Sequence, residues 1–161
     1  KGNNVKLNIK NQQVSINGIN SKLYLENTKM ISDGKIIVNN LEGSFFINGP
    51  NSKLISDNIS INASQISGDF EMINGKRDIA NLIVEDEKIL NIKTDDISMF
   101  AKKAIYNKQE SIIELFEEVK INRGNETITG DYGILDTNKN SYKVSSKNSN
   151  KVKAIIIESN E

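Results

Sequence analysis

This 161-residue sequence contains no histidine and no cysteine, so the common acid–base and nucleophilic residues are absent and pairs of carboxylates remain as candidates. They occur as the adjacent pairs Asp95-Asp96 and Glu117-Glu118 and as the acidic run 85–87. Hydrolysis by two carboxylates needs groups several ångströms apart that flank one substrate bond. Neighbouring residues of a strand point to opposite faces, so these pairs fit solvated surface charge better than catalysis. The sequence therefore predicts a protein without enzymatic activity.

Metal, cofactor and nucleic-acid sites also lack their usual residues. Zinc sites built on Cys or His are excluded, and the sequence has no Asp-x-Asp calcium loop. Its glycines lie in turn-like contexts and form no phosphate-binding loop. Lys plus Arg is 21 and Asp plus Glu is 21, so the basic excess that nucleic-acid binding needs is missing. We expect no catalytic residue, no metal, no cofactor and no nucleic-acid partner.

The dominant pattern is alternation of apolar and polar residues with a period of two, which is typical of strands that are half buried. Val5 to Ile9, Ile59 to Ala63 and Val119 to Ile121 are examples. Dipeptides that accept the positive φ of tight turns separate these runs. The pattern predicts short antiparallel strands in a sandwich, barrel or roll. The main turn signals are Asn17-Gly18, Asp33-Gly34, Asn48-Gly49-Pro50 and Asn74-Gly75.

Two stretches leave helix and strand open. After Asp95-Asp96, which is a suitable helix N-cap, apolar residues recur at helical spacing through residues 97–105. The stretch from Arg77 to Leu90 is ambiguous in the same way.

Residues 101–157, the motif-bearing part, resemble the OstA/LptA-type domain of periplasmic lipopolysaccharide transport proteins. The family has Gly-Asn before the valine of its motif, whereas this chain has Glu117-Glu118, which suggests a differently built hairpin. The motif positions are Ala104, Tyr106, Ile113, Leu115, Val119, Ile121, Gly124, Ile128, Gly130 and Asp131, followed by a closing strand with Val152, Ala154 and Ile156.

The resemblance implies a single all-β domain over residues 1–161, folded as an open antiparallel β-jellyroll. This is a twisted, V-shaped roll of two facing sheets. It also implies a periplasmic protein that holds lipopolysaccharide acyl chains between the sheets and passes them along a protein bridge towards the outer membrane. Both LptA-like and LptC-like chains fit, and neither a signal peptide nor a membrane anchor is visible in the sequence.

In such a roll the inward side chains of the strands would form an apolar groove, which we expect to remain unsealed along one edge. The expected groove residues are Ile16, Leu23, Leu25, Ile36, Val38, Ile47, Ile61, Phe70, Met72, Val84, Ile92, Ile113, Leu115, Ile121, Ile128 and Val144.

The ends of an open roll carry strands with an unpaired edge, and such edges accept a strand from a neighbour. We expect the edge strands at Val5 to Ile9 and Lys151 to Ile157. They would pair with other Lpt-type β-rolls or with further copies of the chain in a head-to-tail oligomer. The expected edge residues are Val5, Leu7, Ile9, Val152, Ala154 and Ile156.

Two other function classes are compatible with the residues alone. A β-rich adhesion or glycan-binding module, similar to a solenoid, would use exposed Asn and Ser side chains and bind no lipid. A small hydrolase built on carboxylates is the least favoured, for the reasons given above.

Overall fold

A computed structural model describes residues 1–57, 59–147 and 151–156. Within these ranges the chain forms thirteen antiparallel strands of one sheet and contains no helix. The all-β class expected from the sequence is therefore confirmed. The strands are β1 (Asn4–Asn8), β2 (Gln13–Asn17), β3 (Ser21–Leu25), β4 (Thr28–Ser32), β5 (Lys35–Asn39), β6 (Ser44–Ser56), β7 (Ile59–Ile73), β8 (Lys76–Lys93), β9 (Ile97–Asn107), β10 (Ile112–Arg123), β11 (Glu126–Asp136), β12 (Ser141–Ser145) and β13 (Lys153–Ile156).

The two ambiguous stretches are both strands, β8 and β9. The helical spacing has a structural cause in β9. Ala101 and Ala104 are both buried, although they are three residues apart, because an irregularity between them shifts the alternation. An interrupted strand therefore imitates the periodicity of a helix.

The six strands β6 to β11 each change register near the middle. The irregularities lie between Asn48 and Ser52 in β6 and between Glu85 and Leu90 in β8. In β10 one lies between Phe116 and Lys120. Bulges bend a strand and increase its local twist. Because the irregularities lie side by side across the sheet, they form one line, which we call the crease.

The crease divides the sheet into two halves that continue through the same strands. Half-sheet 1 contains β1, β2, β5 and β12 together with the segments of β6 to β11 that pair with one another beside them. Half-sheet 2 contains β3, β4 and β13 together with the other segments of β6 to β11. This is the architecture of a V-shaped roll, as the resemblance implied.

The crease contains residues with positive φ, which non-glycine residues rarely adopt. Gly49 has φ 124° and Asn51 has φ 56° within the continuous strand β6. The predicted hairpin turn at Asn48-Gly49-Pro50 is therefore wrong, because these residues bend a strand rather than end it. Glu117 and Glu118 have φ 62° and 53°. They stand where the resembled family has Gly-Asn, residues that accept this backbone region more readily.

Inward side chains of both half-sheets pack into one apolar cluster between them. Ile36, Ile47 and Leu115 from half-sheet 1 are buried there with Ile61 and Ile121 from half-sheet 2. Fully burying such a side chain contributes about 1.5–3 kcal/mol. Contact between the two apolar faces therefore stabilises the fold more than any one polar contact does.

Glu117→Gly should raise the stability of the protein. The left-handed backbone at residue 117 costs a non-glycine residue about 1–2 kcal/mol, and glycine removes this cost. Glycine also raises the conformational entropy of the unfolded chain, which cancels part of the gain. We expect a net increase of up to about 1 kcal/mol in the free energy of unfolding, measured by urea denaturation.

The matched control is Lys120→Gly, in the same strand but outside the positions of positive φ. Glycine in a regular strand costs roughly 0.5–1 kcal/mol. A loss of stability in both variants would contradict the assignment of backbone strain to the crease.

Candidate functional site

Most of the expected groove residues lie in the interior between the half-sheets. Ten of the sixteen are buried, with exposed fractions of 0–2%. They come from both half-sheets, so the structure brings them together as one surface. These residues are Ile16, Ile36, Val38, Ile47, Ile61, Val84, Ile92, Ile113, Leu115 and Ile121.

The remaining six lie nearer to the solvent. Leu23, Leu25, Phe70 and Val144 are partly buried against the core, and Ile128 is also partly buried.

Met72 does not line the interior. It is 65% exposed and lies one residue from the end of β7, where the β7–β8 hairpin closes. Alternation places it on the same face as Phe70, whose ring lies 4.7 Å from that of Phe45. The strand has passed the edge of the core at this point, which leaves Met72 in contact with solvent.

The groove was expected to remain unsealed along one edge, and the structure describes an interior that is open over only part of its length. The middle of the interior is closed, because the side chains of the two half-sheets fill the space between them. Partly buried apolar residues occur instead at the two ends of the roll. Val14, Leu23 and Leu25 lie at the end that contains β1 and β3, and Tyr142 and Val144 lie at the end that contains β12.

The interior opens sideways at a cleft of 450 Å³ opposite the crease. Hairpin turns of the two half-sheets lie along the two sides of this opening, which we call the mouth. Asp57 and residues 94–96 belong to half-sheet 2, and Lys108 and Thr137 belong to half-sheet 1. The floor of the cleft is apolar and consists of Ile59, Ile79, Leu82, Tyr106 and Ile113.

Among the described residues, three hydrogen bonds connect the half-sheets across the mouth. The Arg77 N–H donates to Glu26 Oε2 at 2.9 Å, near one end of the roll. Near the other end, Arg123 Nη1 donates to the Asn140 carbonyl oxygen at 3.2 Å. The third bond, from the Tyr142 hydroxyl to Glu126 Oε2 at 2.9 Å, lies at that same end. The cleft therefore lies between polar contacts at both of its ends.

Lys108 organises the half-sheet 1 side of the mouth. Its Nζ forms ion pairs with Asp78 and, at 3.3 Å, with Glu71. Burial lowers the pKa of Lys108, but the hydrogen bonds to Asp78 and Glu71 outweigh it and raise the pKa above its ordinary value. In the cleft floor, burial raises the pKa of Tyr106. The cleft thus presents a neutral phenol and apolar side chains beneath a charged rim.

Sequence reasoning missed the floor of the cleft, which contains Ile79, Leu82 and Tyr106. Alternation along β8 is interrupted, because the pairing of β7 with β8 shifts between Asp69 and Phe70. The sequence marks Tyr106 only as a position of the family motif. No local signal marks a cleft, because it depends on which turns lie opposite each other.

The segments expected as edge strands contain β1 and β13. Among the described strands, β1 pairs with β2 alone, and β13 pairs with β11 alone. Their apolar residues are exposed, at 66% for Leu7 and 69% for Ile156. Ile9 and Val152 flank the two strands and are also exposed, while Ile157 lies outside the described residues.

The described residues offer no alternative site for a metal or for membrane insertion by a helix. They contain no group of three or more acidic, His or Cys side chains that could hold a metal ion. They also contain no helix with the length and apolar character needed to cross a bilayer.

The crease and the residues that line the cleft at the mouth lie within a region that matches a known family. Residues 46–141, more than half of the chain, match the family described as LptA/(LptD N-terminal domain) LPS transport protein. The chain belongs to this family of lipopolysaccharide transport proteins. The matched region begins in β6 and ends at the start of β12, so it includes every strand that crosses the crease.

A solved structure shows the same fold at low sequence identity. It is LptH from Pseudomonas aeruginosa, described as the LptA-homologous periplasmic component of the lipopolysaccharide transport device. The two chains are 9% identical and superpose with a TM-score of 0.65, over 81% of this chain and 95% of LptH. A search of curated proteins finds no match.

The family motif lies at the centre of the fold. Leu115 and Val119 stand on either side of the crease in β10, and both are buried. Ala104 is buried opposite Leu115 in β9. The common sheet residues of the motif are therefore inward positions around the bend that makes the roll.

Lys108→Met should destabilise the half-sheet 1 side of the mouth while retaining most of the length of the side chain. It removes two ion pairs of a side chain that is 28% exposed, so we expect a loss of about 1 kcal/mol at neutral pH. Because the folded pKa is raised, this contribution is fully present below the ordinary lysine value of 10.5 and is lost as the pH rises through the folded pKa. Urea denaturation at neutral and at high pH measures both effects.

The control is Lys139→Met. Lys139 pairs with Asp136 on the surface, and its side chain is 79% exposed. We expect no measurable change in the free energy of unfolding, because water and salt screen so exposed a pair. Equal losses in the two variants would show that the mouth pairs have no special role.

Proposed function

We propose that this protein carries lipopolysaccharide across the periplasm and holds the acyl chains in the interior between the half-sheets. The observation that supports this most is the single apolar surface that both half-sheets share, with its cleft at the mouth. Membership of the lipopolysaccharide transport family supports the cargo, and the periplasmic relative with the same fold supports the compartment.

The interior must open before it accepts several acyl chains. A cleft of 450 Å³ lies within the range of pockets that hold one drug-sized ligand. The two half-sheets remain joined at the crease, so the opening motion separates them at the mouth. Acyl chains would then contact the side chains that previously contacted one another.

Such an exchange is energetically balanced. Each methylene group removed from water contributes about 0.8 kcal/mol. Opening the empty interior would expose apolar side chains at a similar cost per unit area, whereas opening it around a lipid leaves that area covered. The lipid and the closed core therefore compete for the same surface, and transfer to a neighbour with a similar interior stays reversible.

The edge strands would join the protein to its neighbours in a bridge. β1 and β13 lie at opposite ends of the roll, and each has one edge that pairs with no other described strand and carries exposed apolar side chains such as Leu7 and Ile156. An unpaired strand edge accepts a strand from another chain through main-chain hydrogen bonds. Pairing with other β-rolls or with further copies would align the ends of successive interiors.

Photo-crosslinking should capture lipopolysaccharide from inside the roll. A small diazirine amino acid at Leu115 or Ile121, both buried between the half-sheets, should form a covalent adduct after irradiation with the lipid, detected by gel mobility and lipid staining. The control position is Glu114, which lies beside Leu115 and points to the other face of β10. Capture from Glu114 alone would contradict binding in the interior.

A second arm of the same experiment locks the mouth. The chain has no native cysteine, so Asp95→Cys and Thr137→Cys, on opposite sides of the cleft, could be joined by a short reagent that can be cleaved by reduction. Capture from Leu115 should fall several-fold when the link is present and recover after cleavage. Unchanged capture with the link intact would show that the lipid enters by another route.

Leu7→Lys should weaken self-assembly, because a charged residue on an edge strand opposes strand addition. We expect the mass of the wild type to rise with concentration in sedimentation or light scattering, and that of the variant to remain near one chain. Leu41→Lys is the matched control, since Leu41 is equally exposed, at 69%, but lies in a turn. The same loss in both variants, or in neither, would contradict assembly through β1.

A further inference from the structure

The outer face of half-sheet 2 has an unusual distribution of charge. Its outward side chains, which alternate with the buried ones, form two rows across nine strands. The first row runs Lys22, Ile31, Lys53, Asn62, Asn91, Phe100, Lys120, Thr129 and Lys153. The second runs Tyr24, Lys29, Ile55, Ser60, Lys93, Ser98, Asn122, Thr127 and Ile155.

These two rows contain six lysines and no acidic residue, although the whole chain has a formal net charge of zero. None of the six forms an ion pair within the described residues, where the salt bridges involve Lys102, Lys103, Lys108 and Lys139. The positive charge of the two rows is therefore not neutralised by a salt bridge among these residues.

The outer face of half-sheet 1 is different. Its outward positions include Asp69, Glu85 and Glu114 as well as lysines. Glu85 accepts a hydrogen bond from Lys103 at 2.8 Å. The excess of positive charge thus belongs to one face of the roll.

We propose that the outer face of half-sheet 2 docks on the surface of a membrane that contains anionic phospholipids. Lysines near such a surface each add roughly a factor of five to the binding constant. The face has no arginine, so it lacks the residue best suited to bidentate recognition of individual phosphates, whereas lysines act as point charges that respond to a diffuse negative potential.

The residues around the lysines favour a lipid surface over a soluble polyanion. Tyr24 and Ile155 end the second row at opposite edges, and they are 63% and 57% exposed. Tyrosine is enriched where a protein meets the headgroup layer, and an exposed isoleucine can reach the apolar boundary below it. Lys29 and Lys120 lie over the rings of Tyr24 and Phe100, at 5.5 and 5.8 Å.

A flat bilayer meets only part of this face at one time. Neighbouring strands are rotated by about 20–25°, so the face turns along its length. Lys93, Lys120 and Lys153 lie within five adjacent strands, a span of about 20 Å, and all three are exposed. They are the group that one contact with a bilayer would engage.

The test is co-sedimentation of the full chain with phospholipid vesicles that contain no lipopolysaccharide. We expect binding to vesicles rich in phosphatidylglycerol and none to phosphatidylcholine vesicles. Binding should weaken several-fold when the salt is raised from about 0.1 M to about 1 M, as the Debye length falls from ~10 to ~3 Å. Equal binding to the two kinds of vesicle, or none to either, overturns the proposal.

The decisive variant combines Lys93→Gln, Lys120→Gln and Lys153→Gln, and it should lower the partition constant by about tenfold or more. Its matched control neutralises three exposed lysines on the outer side of half-sheet 1, as Lys6→Gln, Lys35→Gln and Lys143→Gln. Equal losses in the two triple variants would assign binding to net charge and overturn the proposal. So would retained vesicle binding by the first triple variant.

The two proposals can fail separately. The vesicle assay does not involve the interior, and acyl-chain capture from Leu115 does not involve the lysines. Circular dichroism of both triple variants verifies that the strands are retained, so a loss of binding reports on the surface.

Discussion

The whole structure depends on the fact that the same six strands run through both half-sheets. A side chain on one half-sheet packs against the other half-sheet, yet the two remain covalently continuous through every corner of the crease. The half-sheets therefore cannot slide apart or exchange partners. The only large relative motion that preserves the ladder hydrogen bonds is rotation about the crease.

The free-energy contributions of the different contacts indicate what keeps the two half-sheets together. Hydrogen bonds across the mouth, such as that between Tyr142 and Glu126, contribute about 0.5–1.5 kcal/mol each. Each buried residue of the size of Ile61 or Leu115 contributes about 1.5–3 kcal/mol. Apolar contact therefore dominates, and a polar ligand at the rim would not separate the half-sheets. A ligand that supplies its own apolar surface would, which is the property that the proposed cargo has.

Local alternation was sufficient to predict part of this interior. Ile61 and Ile92 follow the simple pattern and face inward as expected. The pattern could not identify Ala101 and Ala104 as members of the same face, because the corner between them changes the spacing. Met72 obeys the pattern and still lies in solvent, since alternation gives the face but not the distance from the core.

Sequence reasoning could not predict the cleft or the lysines on the outer face of half-sheet 2, for a related reason. Both are made from residues far apart in the chain, such as Asp57 and Thr137 at the mouth. Their proximity depends on the order in which strands pair, and a balanced composition conceals a face of one sign. The family motif predicted the general architecture. The positions of the openings and of the charged side chains could be read only from the pairing register of the strands.

The branching of the sheet at its two ends has a geometric consequence for any larger assembly. β12 and β13 both pair with β11, one on each side of the crease, and β1 and β3 form the corresponding pair at the other end. A neighbour joined through a single edge could swivel about that contact. A neighbour joined through both edges has a fixed azimuth about the long axis. The side openings of successive units would then be related by a constant rotation about the long axis and would follow a helical path.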